Sequence, residues 1–263
     1  MRGYFGTELQ QRLQRRADEL AATVDGIPGL CNAGRMVSTD DVDRVGLEAC
    51  VGMLEADGGF GFRLVHEGCT GAITEFLGAR GYRVDWWDTF MGSASEVLTL
   101  SKQIVERGTP PGFSHVDLSN RPREAELERV QVFLSANGLA PFSRSTLAGE
   151  SVTGRTFAIV DEQGELAATS FVYMPHNSFS EFRTFAWGGL AAVSSAYRGK
   201  SLGSYMNACA AVMAFEQYGA TVFYEQVAAT NAASRRMAEA CGLTLHPYLK
   251  SGLAITGQEK FTR

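Results

Sequence analysis

A strand-to-helix junction in the C-terminal half of the chain has residue types that could bind a phosphate group. Residues 191–204 form the end of an apolar strand, a short basic loop and the start of a long helix. The first turn of a helix offers free backbone N–H groups and the positive end of the helix dipole, which both attract phosphate. The loop combines small residues, which let a diphosphate approach the backbone, with two cations: Gly199, Ser201, Gly203, Arg198 and Lys200. A strand-to-helix turn with two solvated cations has the same composition, so the phosphate interpretation needs further support.

Two common nucleotide-binding motifs do not fit this loop. Gly199-Lys200-Ser201 resembles the end of a Walker A motif, but that motif requires glycine at position 194, where the chain has Ser194. The dinucleotide-binding pattern GxGxxG is absent here, and no acidic residue ends a following parallel strand. The sequence therefore argues against both nucleotide folds.

A third pattern fits the loop. It resembles the acetyl-CoA loop of the GNAT superfamily of N-acetyltransferases, which has Arg or Gln, then Gly three residues later, then Gly or Ala after two more. Arg198 and Gly203 match its two ends, whereas Ser201 stands where Gly is usual. Residues 227–243 are similar to the family's next landmark, a strand, a helix opened by Asn231 and a Gly-hydrophobic ending. The resemblance covers about residues 116–255.

The resemblance implies acetyl-CoA as co-substrate and no metal. The strand ending at Val193 would splay from the strand ending at Val227, and pantetheine would lie between them. Backbone N–H groups near Val193 would polarise the thioester carbonyl, and an amine would attack it directly, without a covalent enzyme intermediate. The residues that the resemblance assigns to the cofactor are Ala191, Ala192, Val193, Arg198, Gly199, Lys200, Ser201, Leu202, Gly203, Ser204, Asn231 and Ser234.

The usual acid and base of the family are missing at the aligned positions. Trp187 stands where many members have a carboxylate base, and Ala238 stands where many have a tyrosine acid. Glu225, on the strand facing the thioester, and Glu181, in a long turn, are the carboxylates best placed to substitute. For each, the general preference of glutamate for the surface favours a solvated surface glutamate over a catalytic one. His176 lies in a polar turn and is expected to be exposed.

The predicted elements indicate an α+β fold of the GNAT type, with a mixed, mostly antiparallel sheet flanked by helices. The predicted helices are 6–24, 39–54, 70–80, 95–106, one capped by Asn120 and ending at 137, 141–147, 201–218 and 231–241. The predicted strands are 61–66, 82–91, 156–161, 166–173, 184–193, 221–227 and 243–255.

The N-terminal half weakly repeats the C-terminal half at an offset of 161 residues, which places Phe62 on Phe223 and Gly81 on Gly242. Residues 1–107 are thus predicted to be a degenerate GNAT-like or helix-and-strand domain, and 114–263 the catalytic domain. Because the first half lacks a phosphate loop, we expect it not to bind CoA but to form one wall of the acceptor pocket. Trp86 and Trp87 could line that wall or simply pack the interface.

The composition excludes several classes of protein. The net charge of −5 gives no electrostatic reason to expect a nucleic-acid partner, and no apolar run is long enough for a membrane span. Five scattered cysteines without a CxxC pair argue against a disulfide framework or a zinc site and favour a cytoplasmic protein. The oligomeric state is not predicted.

The sequence thus favours an acetyl-CoA-dependent N-acetyltransferase that acts on the amine of a small molecule. Two alternatives remain: a non-catalytic acyl-CoA-binding or regulatory module, which the missing acid and base would suit, and a protein N-terminal acetyltransferase.

Overall fold

A computed structural model describes residues 3–118 and 122–257. The first half contains α1 (Glu8–Asp25), β1 (Leu30–Asn32), β2 (Val37–Thr39), α2 (Val42–Val45), α3 (Leu47–Asp57), β3 (Gly59–His66), α4 (Glu67–Gly78), β4 (Arg83–Ser93) and α5 (Ala94–Glu106). The second contains β5 (Phe113–His115), α6 (Glu124–Ala136), α7 (Arg144–Leu147), β6 (Gly154–Asp161), β7 (Leu166–Tyr173), β8 (Phe185–Val193), α8 (Leu202–Glu216), β9 (Val222–Val227), α9 (Ala232–Ala240) and β10 (Thr244–Ile255).

These ten strands form one mixed sheet in the order β1-β2-β3-β10-β4-β9-β8-β7-β6-β5. Only β2 with β3 and β8 with β9 are parallel neighbours. The fold is therefore α+β with a mostly antiparallel sheet, as predicted.

The two halves repeat one topology. The run β1-β2-α3-β3-α4-β4 has the element order and strand directions of β7-β8-α8-β9-α9-β10. The aligned glycines Gly81 and Gly242 each follow a helix with positive φ, 82° and 87°. At the centre, β4 pairs with β9 and β10 pairs with β3, so each half places its last strand beside the other half. This repetition supports a duplication, but the predicted boundary at 107–114 stays a prediction because the strands alternate within one sheet.

Helices cover the sheet on both faces. On one face, α5 and α8 pack apolar side chains on alternate strand residues such as Phe90 and Phe223. On the other face, α6 and α7 pack around Phe171, Tyr173 and Trp187. This alternation follows from the two-residue period of a strand, which sends successive side chains to opposite faces.

Some local predictions were wrong. The single helix expected over residues 39–54 is two helices, α2 and α3, because Gly46 between them has φ of +81° and interrupts the helical backbone. The short strands β1, β2 and β5 were not predicted, since three residues give too little periodicity. The predicted cap Asn120 lies outside the described residues. Within those residues, no helix combines the length and apolarity that crossing a bilayer requires.

Candidate active site

Strands β8 and β9 diverge at the middle of the sheet. They pair at only three positions, the last of which joins Trp187 to Tyr224. Past that point β8 continues along β7 and β9 continues along β4, so residues 188–193 and 225–227 face an opening instead of each other. The predicted splay is present, and unpaired backbone groups border it.

A bulge in β8 shapes one side of the opening. The register with β7 shifts between Thr169 and Phe171, and Leu190 has φ of +50°. The hydroxyl of Thr169 donates a hydrogen bond to the Leu190 carbonyl at 3.1 Å and holds the bulge in place. Bulges re-aim backbone groups and are frequent near active sites. Residues 188–191 therefore line the opening rather than continuing the regular ladder.

The loop between β8 and α8 has the backbone that a phosphate site requires. A short 3-10 turn over Ser195–Tyr197 leads to Gly199, whose φ is +80°, and α8 begins at Leu202. Within residues 3–118 and 122–257, no side chain caps this helix, so its first N–H groups are open to a ligand. The Tyr197 hydroxyl donates to Asp161 at 2.6 Å and anchors the loop.

Ser201 adopts the left-handed conformation that the family pattern normally gives to glycine. Its φ is +60° and ψ is 12°. A β-carbon in this region is strained by about 1–2 kcal/mol, so the departure from the pattern is accommodated by strain and the loop keeps its shape.

We expect Ser201→Gly to stabilise the protein slightly. Relief of the strain exceeds the added unfolded-state entropy of glycine by roughly 0.5 kcal/mol. A thermal melt should show a rise of about 1–2 °C for a chain of this size, with CoA affinity kept. A lower melting temperature would show that the serine hydroxyl has a stabilising partner in solution.

Helix α9 borders the opposite side of the opening. The Asn231 side chain accepts a hydrogen bond from the Ser234 backbone N–H at 3.1 Å and caps the helix. Asn231, Ser234 and Met237 all line the same cavity as residues 188–191. The capping bond uses the amide oxygen, which leaves the Asn231 NH₂ group as a donor toward the opening.

Glu225 is a buried carboxylate at the point where the strands diverge. It is 3% exposed and lines the cavity. Asn207 of α8 donates to its Oε1 atom at 2.5 Å. Burial raises the pKa of Glu225 to about 7, and the Asn207 hydrogen bond lowers it in part. A carboxylate with this pKa can accept a proton near neutral pH.

The other predicted acid–base positions have different surroundings. Glu181 is exposed in the turn before β8 and does not line the cavity. Ala238 is fully buried in the core under α8. Trp187 belongs to an aromatic cluster with Phe142 and Tyr173. Of the two predicted carboxylates, the structure brings only Glu225 to the opening.

The N-terminal half supplies much of the wall of a cavity of about 190 Å³. Trp87 lines it, whereas Trp86 packs on Phe62 and donates to Thr74 outside it. The first-half residues around the cavity are Ala33, Arg35, Met36, Ser38, Gly61, Phe62, Arg63 and Trp87. Both halves therefore form one pocket at the splay.

His176 is buried, so the expectation that it is exposed was wrong. Its Nδ1 lies 2.6 Å from Asp40 Oδ2, and its Nε2 lies 3.0 Å from the Tyr224 hydroxyl. The Ser180 hydroxyl also donates to Asp40, at 2.7 Å. This network ties the turn before β8 to the N-terminal half behind the cavity.

We expect Asp40→Ala to lower the free energy of unfolding by about 2–4 kcal/mol, because it leaves the buried His176 and Ser180 groups without their acceptor. A urea melt measures this. The neighbouring Asp41→Ala is the control, since the exposed Asp41 caps only a four-residue helix and should contribute about 1 kcal/mol or less. Equal losses in the two variants would contradict a stabilising role for the buried network.

Arg63 and Asn207 were missed by the sequence reasoning, and His176 was given the wrong surroundings, although each of the three gave a signal. Arg63 is the one charge inside the apolar strand β3, Asn207 is a polar residue on the buried side of α8, and His176 follows a buried strand. A polar residue within an apolar segment indicates a specific buried partner or a site.

A mixed sheet with two splayed parallel strands, an uncapped helix after the first and an Asn-capped helix after the second defines an acetyltransferase-type site. Residues 122–243 match the model of the Acetyltransferase (GNAT) family, and this part of the chain belongs to that family. The family uses acetyl-CoA as co-substrate.

Solved structures show the same fold over most of the chain. A GCN5-related N-acetyltransferase from Kribbella flavida is 14% identical, with 92% of this chain and 96% of that chain covered and a TM-score of 0.56. A Drosophila protein is also 14% identical, covering 95% and 90% at a TM-score of 0.56. A tandem GNAT protein from the clavulanic acid biosynthesis pathway is 12% identical, covering 85% and 76% at a TM-score of 0.52. No curated protein matches the chain.

Proposed function

We propose that this protein is an acetyl-CoA-dependent N-acetyltransferase that acetylates an amine of a small molecule. The observation that carries the proposal is Glu225, a buried carboxylate with a pKa of about 7 at the splay of β8 and β9. At the splay, the Glu225 carboxylate lies where the transfer reaction needs a proton acceptor.

The cofactor would lie along the elements that border the splay. Its diphosphate would accept hydrogen bonds from backbone N–H groups of residues 201–204, with Arg198 adding charge. Pantetheine would run between the bulged end of β8 and Asn231. The backbone of residues 191–193 would then reach both pantetheine and the thioester carbonyl. This placement uses nine of the twelve cofactor residues predicted from the sequence; Gly199, Lys200 and Ser234 have no contact assigned to them.

The chain's residues would serve a direct transfer. The bound amine enters as an ammonium ion and gives one proton to the Glu225 carboxylate, directly or through one water molecule. The neutral nitrogen then attacks the carbonyl carbon, a C–N bond forms and the C–S bond breaks. The attacking nitrogen loses its second proton, which the CoA thiolate takes up directly or through water, so the products are the acetamide and CoA thiol. Backbone N–H groups of β8 stabilise the oxyanion in between.

The cavity supports a small acceptor over a protein N-terminus. Residues from both halves surround it, including Met36, Trp87 and Leu253, and its volume of about 190 Å³ suits a small molecule.

One observation favours a non-catalytic CoA-binding module instead. Trp187 and Ala238 occupy the positions where family members usually have the base and the acid; Ala238 is packed in the core, and Trp187 lines the cavity but has no acid–base group. Glu225 can replace the missing base, but it does not replace the missing acid. Direct attack tolerates a missing acid because a thiolate is a good leaving group.

The test is an amine panel with acetyl-CoA, following the release of CoA thiol, beside calorimetric titration with CoA. Turnover with at least one amine is the expected result. Binding of CoA without turnover on any amine would favour the non-catalytic module, and no detectable CoA binding would overturn the cofactor assignment.

A further inference from the structure

The acceptor side of the cavity contains a buried guanidinium with unused hydrogen-bonding capacity. Arg63 is 4% exposed and lines the cavity. Its Nη2 donates to the Tyr173 hydroxyl at 2.9 Å, and its guanidinium carbon lies 5.1 Å from the centre of the Trp187 ring. Its Nη1 is buried and has no hydrogen-bond partner among the described residues.

Burial acts most strongly on the Arg63 guanidinium, followed by the side chains of Tyr173, Tyr224 and Cys31, and Tyr224 also contributes a hydrogen bond. None of these three side chains is a carboxylate. Arginine stays protonated even when buried. A buried, unpaired cation destabilises a protein by several kcal/mol unless something compensates. An anionic ligand that binds at this position would provide the compensation.

Two more buried donors line the same cavity without partners. The Ser38 hydroxyl and the Trp187 Nε1–H group make no hydrogen bond among the described residues. Gly61 leaves room for the serine, because a β-carbon there would lie 2.0 Å from its hydroxyl oxygen. Arg35 adds a second guanidinium to the lining, over the Phe142 ring. Oxygen acceptors with negative charge match this donor set.

Resting on the proposed function, we propose that the acceptor amine also carries a carboxylate, which binds Arg63 with help from Ser38 and the Trp187 indole N–H. The acceptor class is then a small amino acid or a similar zwitterion. Its amine lies toward Glu225 and its carboxylate toward Arg63, since both side chains line one cavity. The apolar walls, Met36, Trp87, Phe142 and Leu253, would contact the remainder of the molecule.

The experiment compares free amino acids with their matched carboxamides, which keep the amine and the size but lose the negative charge. Wild type should acetylate the acid with a kcat/KM at least about tenfold above that of the amide, the value expected for one charged hydrogen bond. In Arg63→Gln this preference should disappear through a rise in KM for the acid, with CoA affinity kept. Arg80→Gln, an exposed arginine paired with Glu48 outside the cavity, is the matched control.

A second variant covers the case in which Arg63→Gln does not fold. Trp187→Phe removes only the indole donor and keeps a ring under Arg63, so it should reduce the preference by a smaller factor. Equal rates on acids and amides in wild type, or an unchanged preference in a folded Arg63→Gln, would overturn the proposal and leave Arg63 a structural cation.

A further titration distinguishes failure of the carboxylate site from failure of the proposed acetyltransferase activity. If no amine is acetylated, titration of wild type and Arg63→Gln with N-acetyl amino acids still tests the carboxylate site. Binding that is lost in Arg63→Gln supports the site without catalysis, and no binding to wild type overturns it.

Discussion

Glu225→Gln is expected to lower kcat by about 10²–10⁴-fold, the usual contribution of a positioned general base. The amide keeps the shape of the side chain and still accepts from Asn207, but it cannot take a proton. CoA affinity measured by calorimetry should stay within about twofold, because the cofactor contacts are unchanged. Glu181→Gln, at the exposed carboxylate outside the cavity, should retain full activity. An unchanged kcat in Glu225→Gln would falsify its assignment as base.

The pH profile separates a base from a merely packed glutamate. The carboxylate must be ionised to act, so kcat of the wild type should rise with pH and reach half its maximum near the pKa of about 7. This rise of kcat with pH should be absent from the residual activity of Glu225→Gln. If the rise persists in the variant, it is caused by the titration of another group.

The same burial predicts an effect on stability. The folded-state pKa of about 7 lies above the ordinary value of 4.5, so between these pH values the folded protein binds more protons than the unfolded chain. Stability therefore falls as pH rises from about 4.5 to 7, by roughly 3 kcal/mol for this group. Because Gln has no such dependence, Glu225→Gln should be more stable than wild type at pH 8. A loss of activity in this variant is then not a loss of fold.

Gly203→Asp is expected to weaken CoA binding more than a hundredfold. A β-carbon at Gly203 would lie 3.3 Å from Met237 and 3.6 Å from Val193, so the variant can be accommodated by a small shift of Met237 and adds a carboxylate to the first turn of α8. There it would repel a diphosphate about 5 Å away by roughly 3 kcal/mol at an effective dielectric constant of about 20. Titration calorimetry with CoA measures the effect.

Two comparisons make the result interpretable. Gly203→Ala adds only the β-carbon, which the flexible end of Met237 can accommodate, so its CoA affinity should change little. The aspartate also lies near the N-terminus of α8, where negative charge stabilises a helix by about 0.3–1 kcal/mol. The melting temperature should therefore not fall. Wild-type affinity in Gly203→Asp would place the diphosphate elsewhere.

Much of the catalytic half could be read from the sequence because its signals are local. Strand β7 was predicted at its observed bounds, and β8, α8, β9 and α9 within two residues, since each has a clear period and a clear end. The loop around Ser201 was recognised from six residues. The sequence showed only that Ser201 departs from the family pattern. The left-handed conformation of this serine, with a positive φ, was revealed by the structure.

The acceptor pocket could not be predicted in the same way. Arg63 lies 110 positions from its partner Tyr173, and Asp40 lies 136 from His176. No periodicity or spacing encodes such contacts. They depend on the strand order β3-β10-β4-β9 at the centre of the sheet. In this order the last strand of each half lies between strands of the other half, and β3 lies beside β10 of the C-terminal half.

The sequence by itself determined the phosphate loop, the order of elements and the candidacy of Glu225, because short-range spacing and strand ends set these properties. Only the tertiary structure decided which carboxylate is buried at the splay and which cations line the cavity. Burial raises the pKa of Glu225 and leaves the Arg63 Nη1 atom without a hydrogen-bond partner among the described residues, and burial is a property of neighbours that are remote in the chain.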